Sequence, residues 1–143
     1  MGIRLRPATE LDADLLLAWR NDPVTRCACR DGHIVGRDEH ARWLRESLAS
    51  PTRKIFIAEL SGSPVGTVRY DIDGADYELS WTVAPECRGR GVGKSIVRAL
   101  MAVAGRPVRA DIKPDNVASI RIAMAMGLEK ETETDGLLRF VLR

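Results

Sequence analysis

A glycine-rich loop is the stretch of this sequence whose residue types are best suited to chemistry. It reads Arg-Gly-Arg-Gly-Val-Gly-Lys over residues 88–94, between an alternating strand pattern and a helical pattern that begins at about Val92. Glycine has no Cβ atom, so the backbone N–H groups of the loop can approach a ligand closely. The N-terminus of the helix adds free N–H groups and a partial positive charge. We therefore predict that the loop binds a phosphate or pyrophosphate group.

The spacing of the glycines excludes two common phosphate-binding loops. A dinucleotide motif, G-x-G-x-x-G, would need a third glycine where Lys94 or Ile96 stands, and a triphosphate motif, G-x-x-x-x-G-K-S, would need one at Arg88. The remaining pattern, Arg88-x-x-Gly91-x-Gly93, resembles the R/Q-x-x-G-x-G/A loop of the GNAT superfamily of acetyl-CoA-dependent N-acetyltransferases. In that family the loop wraps the pyrophosphate of coenzyme A. The resemblance implies acetyl-CoA as co-substrate, without a metal, and assigns its binding to Thr82, Val83, Arg88, Gly89, Arg90, Gly91, Val92, Gly93 and Lys94.

A second motif lies on a helix predicted over residues 114–126. The sequence Asn-Val-Ala-Ser-Ile at 116–120, followed by Gly127-Leu128, resembles the family's N-x-x-S/A-I motif that ends in G-F. The resemblance implies that Asn116 and Ser119 also bind the cofactor, along its pantetheine arm and thiol. A structural explanation fits as well, because Asp115 or Asn116 suits a helix N-cap and Gly127 suits the residue after a helix. Both interpretations stay open.

The family's usual general acid is missing from its usual position. In many members of the superfamily a tyrosine seven residues after that asparagine protonates the departing thiolate, and here this position is Ala123. Three alternatives follow. Water and dipoles assist the thiolate, or Tyr70 or Tyr77 reaches the site, or turnover is lost and the chain is a regulatory module that binds acyl-CoA.

Two carboxylates are candidates for the general base. An amine must be uncharged before it attacks a thioester, so a carboxylate is the expected proton acceptor. Asp111 lies where ribosomal-protein acetyltransferases of the superfamily carry a catalytic glutamate, and Glu78 lies close to where other members carry theirs. A single carboxylate on a strand is also often a paired or solvated charge. We expect direct transfer without an enzyme-bound acyl intermediate, because Cys87 lies in the cofactor loop rather than on the acceptor side.

The amino-terminal half carries the indication of the acceptor. Residues 17–26, 39–44 and 66–71 are similar to a GNAT subgroup that acetylates UDP-linked amino sugars on the route to pseudaminic acid, and less closely to the acetyltransferases of ribosomal-protein N-termini. We therefore expect a small-molecule amine, first a nucleotide-linked amino sugar, with a protein N-terminus or another small amine as the alternative. Arginines could hold a diphosphate by bidentate bonds, and tryptophan could stack on a base or sugar. The predicted acceptor residues are Trp19, Arg20, Asn21, His40, Arg69 and Tyr70.

Two amphipathic helices in this half must position those residues. The first is capped by Thr9 and carries an apolar stripe of Leu11, Leu15, Leu16 and Trp19, and the second spans about residues 38–49. Trp19 and Trp43 also fit the apolar stripes, where they would be core residues, and His40 fits an interior hydrogen bond. Residues 24–36 give weak signals, with at most a short helical turn.

The order of predicted elements is βαα, βββ, α, β, α, ββ. Turns at residues 61–64 and 73–74 join three antiparallel strands that lead into the glycine loop, which argues against repeated parallel βαβ units. The order resembles the GNAT fold over almost the whole chain. It implies one α/β (α+β) domain over residues 1–143, with a mixed, mostly antiparallel sheet of about seven strands flanked by four helices and splayed between strands four and five. The strands are predicted at residues 3–7, 54–60, 65–72, 77–83, 108–112, 128–133 and 137–142.

Composition narrows the class of protein. The chain has 143 residues, enough for one domain with a core, and its net charge of +2 is too small to indicate a nucleic-acid partner. Neither a leader pattern nor an apolar run of membrane-spanning length is present, so we expect a cytoplasmic protein without a membrane partner, as a monomer or homodimer. Cys27 and Cys29 match no common metal-binding spacing with His33 and His40. The three cysteines are expected to be reduced thiols.

Overall fold

The computed structural model describes residues 2–143, which form seven strands and five α-helices. The strands are β1 (Ile3–Pro7), β2 (Arg53–Leu60), β3 (Ser63–Asp73), β4 (Asp76–Val83), β5 (Val108–Ile112), β6 (Glu129–Thr134) and β7 (Leu137–Leu142). The helices are α1 (Ala13–Asn21), α2 (Pro23–Ala28), α3 (Arg37–Ala49), α4 (Val92–Val103) and α5 (Val117–Ala125).

All strands belong to one sheet in the order β1-β2-β3-β4-β5-β7-β6. Neighbouring strands are antiparallel except β4 and β5, which are parallel. The predicted fold class, a mixed and mostly antiparallel sheet of seven strands, is confirmed.

The prediction of four helices is wrong by one, since α2 is an additional helix. Asp22 caps it by accepting a hydrogen bond from the Thr25 N–H, and Pro23 occupies its first turn, so the Asn-Asp-Pro sequence that ends α1 also begins α2.

The parallel pair β4–β5 is short, and this opens the sheet. Its register within the described residues consists of Tyr77 with Val108 and Glu78 with Arg109, whereas β3 and β4 pair along eight positions. Beyond Glu78 the two strands separate. The predicted splay between strands four and five is therefore present.

Helices cover the sheet and bury two apolar clusters. Ile96, Val97 and Leu100 of α4 are fully buried in the larger cluster, and Trp19 of α1 lies in the smaller one with residues of α3 and β2. The predicted stripe of α1 is wrong at Leu11, which is 96% exposed. A capping box between Thr9 and Asp12 places a 3-10 turn at that point, so α1 starts only at Ala13.

Candidate functional site

A cavity of about 780 Å³ opens where β4 and β5 separate. Its walls come from β3, β4 and β5 of the sheet, from α1 and α3, and from the segment that contains α2 and the loop after it. The cavity therefore joins the amino-terminal half of the chain to the carboxyl-terminal half. Most of its charged groups are arginines and carboxylates, namely Arg20, Arg30, Arg53, Arg69, Arg109, Asp31, Glu39, Asp71, Asp73, Glu78 and Asp111.

Glu78 lines this cavity from the last position at which β4 pairs with β5. Its Oε2 atom accepts a hydrogen bond of 2.7 Å from Nη2 of Arg109, and its side chain is 24% exposed. Its Oε1 atom forms no hydrogen bond within residues 2–143. One oxygen is therefore held by the protein, and the other is available to a ligand in the cavity.

Asp111 lines the same cavity from β5, but both of its oxygens are engaged. Oδ1 accepts a hydrogen bond of 2.9 Å from Nε of Arg139, and Oδ2 accepts bonds of 3.0 Å from Nη2 of Arg139 and from Arg30. The Arg139 guanidinium holds the pKa of Asp111 below its ordinary value, against the opposing effect of burial, and Arg30 lowers it further. Asp111 is thus a stabilised carboxylate with little capacity to accept a proton.

The helical wall of the cavity and the adjoining strand β3 contain four of the predicted acceptor residues: Trp19, Arg20, His40 and Arg69. Trp19 is 4% exposed and also belongs to the core. His40 is buried, and both its burial and the nearby Arg20 guanidinium hold its pKa below the ordinary value, so the imidazole is neutral. Arg69 donates hydrogen bonds to Asp71 and Ser80.

Asn21 and Tyr70 do not line the cavity, so their assignment to the acceptor does not agree with the geometry. The Asn21 side chain binds the backbone N–H and C=O of Val35, at 2.8 and 2.9 Å, and holds the loop between α2 and α3. Tyr70 packs edge-on against Tyr77 with ring centroids 5.2 Å apart, beside the main apolar cluster. Because β3 alternates its side chains between two faces, Tyr70 lies opposite to Arg69. Neither tyrosine is placed to act as a general acid.

The glycine loop has the backbone geometry of an anion cradle. Gly89 and Gly91 have φ angles of 78° and 74°, a left-handed conformation that favours glycine. Gly91 is the N-cap of α4 and forms no side-chain cap, and Arg90 and Lys94 flank it in sequence. The first N–H groups of a twelve-residue helix therefore lie together with two cations. These residues fit the pyrophosphate of acetyl-CoA.

Two residues of the loop also make contacts within the protein. A Cβ atom on Gly93 would lie 2.7 Å from Cδ1 of Ile122, so this glycine allows α4 to pack on α5. Arg88 turns away from the loop, because its Nη2 donates hydrogen bonds to Asp22 at 2.5 Å and to Thr25 at 3.2 Å. The side chain of Arg88 therefore links the loop to α2 rather than extending toward a phosphate.

The second motif caps α5 and also reaches the cavity. Asn116 is the N-cap, one of the two residues predicted for that position, and its side chain accepts a hydrogen bond of 3.2 Å from the Ser119 N–H. Asn116 and Ser119 line the cavity with Thr82. Val83 is half-buried and packs against the main apolar cluster. Trp81 Nε1–H donates to Ser119 Oγ at 3.1 Å. Ala123, at the position of the missing tyrosine, is fully buried.

Sequence reasoning missed Arg109, which lines the cavity and binds Glu78. A signal existed, because Val108, Ala110 and Ile112 alternate with Arg109 and Asp111 in one short strand. Charged residues that alternate with buried ones on an interior strand must lie in a polar site or pair with each other. The partner of Arg109 could not be identified without the strand register.

The described side chains contain no cluster of histidine, cysteine, aspartate and glutamate that could hold a metal ion. Over the same residues, the helices include none that is both long and apolar enough to cross a membrane.

Comparisons with known proteins agree with this geometry. The family model described as Acetyltransferase (GNAT) domain matches residues 3–129. A comparison with curated protein sequences gives no match.

Solved structures share the fold over nearly the full chain. One is a ribosomal-protein-alanine N-acetyltransferase from Brucella melitensis, with 28% identity, a TM-score of 0.81 and 99% of each chain covered. An acetyltransferase from Thermus thermophilus has 21% identity and a TM-score of 0.85, covering 99% of this chain and 97% of that chain. The aminoglycoside acetyltransferase AAC(6')-Ib in complex with coenzyme A has 22% identity and a TM-score of 0.84, covering 99% and 94%. Because the family model matches most of the chain, and the sheet and glycine loop agree with it, the chain belongs to the GNAT acetyltransferase family and is an acetyl-CoA-dependent N-acetyltransferase.

Proposed function

We propose that the acceptor is the α-amino group of a polypeptide, bound in the cavity with its nitrogen beside Glu78. The charge of the cavity wall carries this proposal. The wall contains five arginines and six carboxylates. Four of the guanidinium groups form salt bridges with carboxylates, namely those of Arg30, Arg53, Arg69 and Arg109. Such a wall attracts a cationic amine and lacks the surplus of free cations that a diphosphate needs.

The similarity to the Brucella enzyme supports the same class of acceptor. It extends over 99% of both chains at 28% identity, and that enzyme is a ribosomal-protein-alanine N-acetyltransferase. The chemical class of acceptor that this similarity favours is an N-terminal amine.

In this proposal Glu78 is the general base. Its free Oε1 accepts a proton from the ammonium group, directly or through water, and the neutral nitrogen then attacks the thioester that acetyl-CoA supplies when bound. Asp111 is the poorer candidate, because arginines engage both of its oxygens and lower its pKa. Asp111 instead holds Arg30, and through it the loop after α2, against β5.

Ser119 is the side chain that we assign to assist the departing sulfur. The indole N–H of Trp81 donates to Ser119 Oγ, so the hydroxyl proton of Ser119 remains free to donate elsewhere. Ser119 lies in the cavity at the start of α5, one helical turn from the buried Ala123. A hydroxyl hydrogen bond there would replace the contribution of the missing tyrosine.

Release of free coenzyme A with a panel of acceptors tests the proposal. The panel contains a peptide that begins with alanine, the same peptide with an acetylated N-terminus, an aminoglycoside and a UDP-linked 4-amino sugar. We expect turnover with the free peptide and none with the blocked peptide. Turnover with only the sugar or the aminoglycoside would reject the polypeptide acceptor, and acetyl-CoA binding without thiol release for any amine would instead indicate the regulatory module.

A nucleotide-linked amino sugar is the second candidate, and Arg20 is the observation that favours it. Arg20 lines the cavity, and its guanidinium contacts the backbone carbonyls of Asp31 and His33 rather than a carboxylate. One cation without a carboxylate partner could meet a phosphate. An Arg20→Gln variant should raise the KM for the sugar by at least about tenfold if this acceptor is correct, since a charge-assisted contact of about 1.5–3 kcal/mol is lost.

A further inference from the structure

Arg109 is a buried cation at the apex of the splayed strands. Its side chain is 9% exposed, and Nη2 donates hydrogen bonds to Glu78 at 2.7 Å and to Asp73 at 2.8 Å, while Nη1 donates to Asp76 at 3.3 Å. Its Nε atom is buried and has no hydrogen-bond partner among the described residues. A guanidinium in this position therefore binds three carboxylates and still leaves its buried Nε–H unsatisfied.

Such an arrangement is poorly explained by stability alone. A buried ion pair costs desolvation energy that its attraction only partly offsets, and an unsatisfied buried donor adds to that cost. Apolar residues on both sides of Arg109, Val108 and Ala110, fill the interior positions of the same strand. The position of the cation in the sheet suggests what it does.

Arg109 is the register partner of Glu78, and this pair is the last one between β4 and β5 before the cavity opens. The guanidinium thus lies at the junction of β4 and β5, the two strands that carry Glu78 and Asp111. It holds the Oε2 atom of Glu78 and leaves the Oε1 atom unbound. Asp73 and Asp76, at the two ends of the β3–β4 turn, also bind the guanidinium, through Nη2 and Nη1 respectively.

We propose that Arg109 is a positioning residue for the reaction: it fixes the Glu78 carboxylate at the apex of the splay so that Oε1 faces the acceptor nitrogen. This inference rests on the proposed role of Glu78 as general base. Arg109 contacts Glu78 rather than the acceptor, and its contribution is transmitted through that one hydrogen bond. Lysine could supply the charge but not the planar fork that reaches three carboxylates.

A double-mutant cycle, measured as kcat, tests whether Arg109 acts through Glu78. The variants are Arg109→Gln, Glu78→Gln and the double variant, assayed with the acceptor of the panel that turns over fastest. Glu78→Gln should lower kcat by about a hundredfold or more, as for loss of a general base, and Arg109→Gln should lower it by at least about tenfold. In the Glu78→Gln background, Arg109→Gln should change kcat by less than about twofold, because the group that it positions is already absent. Arg109→Lys should restore part of the activity.

The outcomes of the cycle distinguish a failure of the role of Arg109 from a failure of Glu78 as general base. Equal losses from Arg109→Gln in both backgrounds, or no loss at all, would overturn the inference, since Arg109 would then act through strand pairing or not act. An unchanged kcat in Glu78→Gln would reject the base itself, which is a failure of the proposed function. Glu133→Gln is the control, since it removes a carboxylate that pairs with Lys130 and does not line the cavity, and it should change kcat by less than about twofold.

A crystal structure of the Arg109→Gln variant gives an answer that is independent of the acceptor. We expect the Glu78 carboxylate to leave the place it occupies here. A carboxylate that stays in place would overturn the inference. Should Arg109→Gln fail to fold, Arg109→Lys takes its place in the cycle, where its smaller loss of kcat should likewise disappear in the Glu78→Gln background.

Discussion

At the scale of single residues, the two carboxylates of the cavity differ by what holds them. Glu78 is bound through one oxygen by one arginine, while Asp111 is bound through both oxygens by two arginines and its side chain is 6% exposed. The carboxylate of Glu78 is thus available for proton transfer, whereas the carboxylate of Asp111 is engaged in ion pairs that stabilise the fold. The pKa of Asp111 gives a direct test of that structural role.

Asp111→Asn should destabilise the protein at neutral pH more than in acid. The folded-state pKa of Asp111 lies below its ordinary value of 3.8, so its ion pairs stabilise the fold above about pH 4, and this contribution is lost as the pH falls through the lowered pKa. We expect a loss of about 1–2 kcal/mol at pH 7, allowing for the exposure of both arginine partners, that narrows toward pH 3. Urea unfolding over that range measures it.

The control for this prediction is Glu133→Gln, which removes an exposed pair with Lys130 whose atoms lie 3.5 Å apart. It should change the free energy of unfolding by less than about 0.5 kcal/mol at any pH. A deficit of Asp111→Asn that is the same at pH 7 and pH 3 would contradict the account.

At the scale of elements, two features determine the geometry of the site. They are the loop between β4 and α4 and the close contact of β3 with β4. Gly91 lets the loop turn directly into the N-terminus of α4. Gly66 lets β3 approach β4, since a Cβ atom there would lie 2.5 Å from the backbone oxygen of Thr82. Each of the two glycines gives a separate prediction.

Gly91→Glu should lower the affinity for acetyl-CoA by more than about tenfold. A carboxylate would occupy the pyrophosphate cradle, and like charges a few ångströms apart repel by about 1–4 kcal/mol. Gly136→Glu is the matched control, because Gly136 has the same φ of 74° in the turn between β6 and β7. Both variants carry the strain of a left-handed residue, about 1–2 kcal/mol, and calorimetry should find that only Gly91→Glu loses acetyl-CoA. Equal affinities for the two variants would reject the loop assignment.

Gly66→Ala should destabilise the fold by about 1–3 kcal/mol, because the nearest atom to the new methyl group is backbone and cannot move without separating two strands. Gly36→Ala is the comparison, since a Cβ atom there meets nothing within 4 Å and its φ of −74° suits any residue. That variant should lose less than about 1 kcal/mol in thermal or urea unfolding. Similar losses in the two variants would show that β3 and β4 accommodate a side chain at this point.

At the scale of the whole molecule, contacts between distant parts of the sequence close the cavity. Arg88 binds Asp22, Arg30 binds Asp111, and Lys113 Nζ donates to the carbonyl of Cys27, across 66 to 86 residues of sequence. These contacts attach α2 and its following loop to the cofactor loop and to β5. A ligand bound between the two halves should therefore stabilise the molecule as one unit.

Acetyl-CoA at about one hundred times its Kd should raise the free energy of unfolding by about 2.7 kcal/mol. For a chain of this size that corresponds to a Tm increase of roughly 5–10 °C. Thermal unfolding followed by circular dichroism, with and without acetyl-CoA, measures the shift. Gly91→Glu should show almost none of it at the same concentration, and a full shift in that variant would place the binding elsewhere.

The sequence alone determined the class of fold and the donor. Hydrophobic alternation, turn residues and the spacing of Gly91 and Gly93 are local features, and they suffice to predict most strands, α3, α4 and the cofactor loop. They also place the N-cap of α5 at Asp115 or Asn116, and Asn116 is the residue that caps it. The short helix α2 was missed because Asp22 caps it directly after the end of α1, and the exposure of Leu11 was missed because the Thr9–Asp12 capping box encloses a 3-10 turn.

Only the tertiary structure decided how the charged residues pair. Arg88 faces Asp22 rather than a phosphate, Tyr70 faces the core, and Arg109 selects Glu78 as its partner. The physical reason is that these contacts depend on strand register and on the angle between β4 and β5. Register and angle bring together residues that lie more than thirty positions apart in the sequence. A spacing pattern records which residues share a face of one element, and it contains no information on which face of another element they meet.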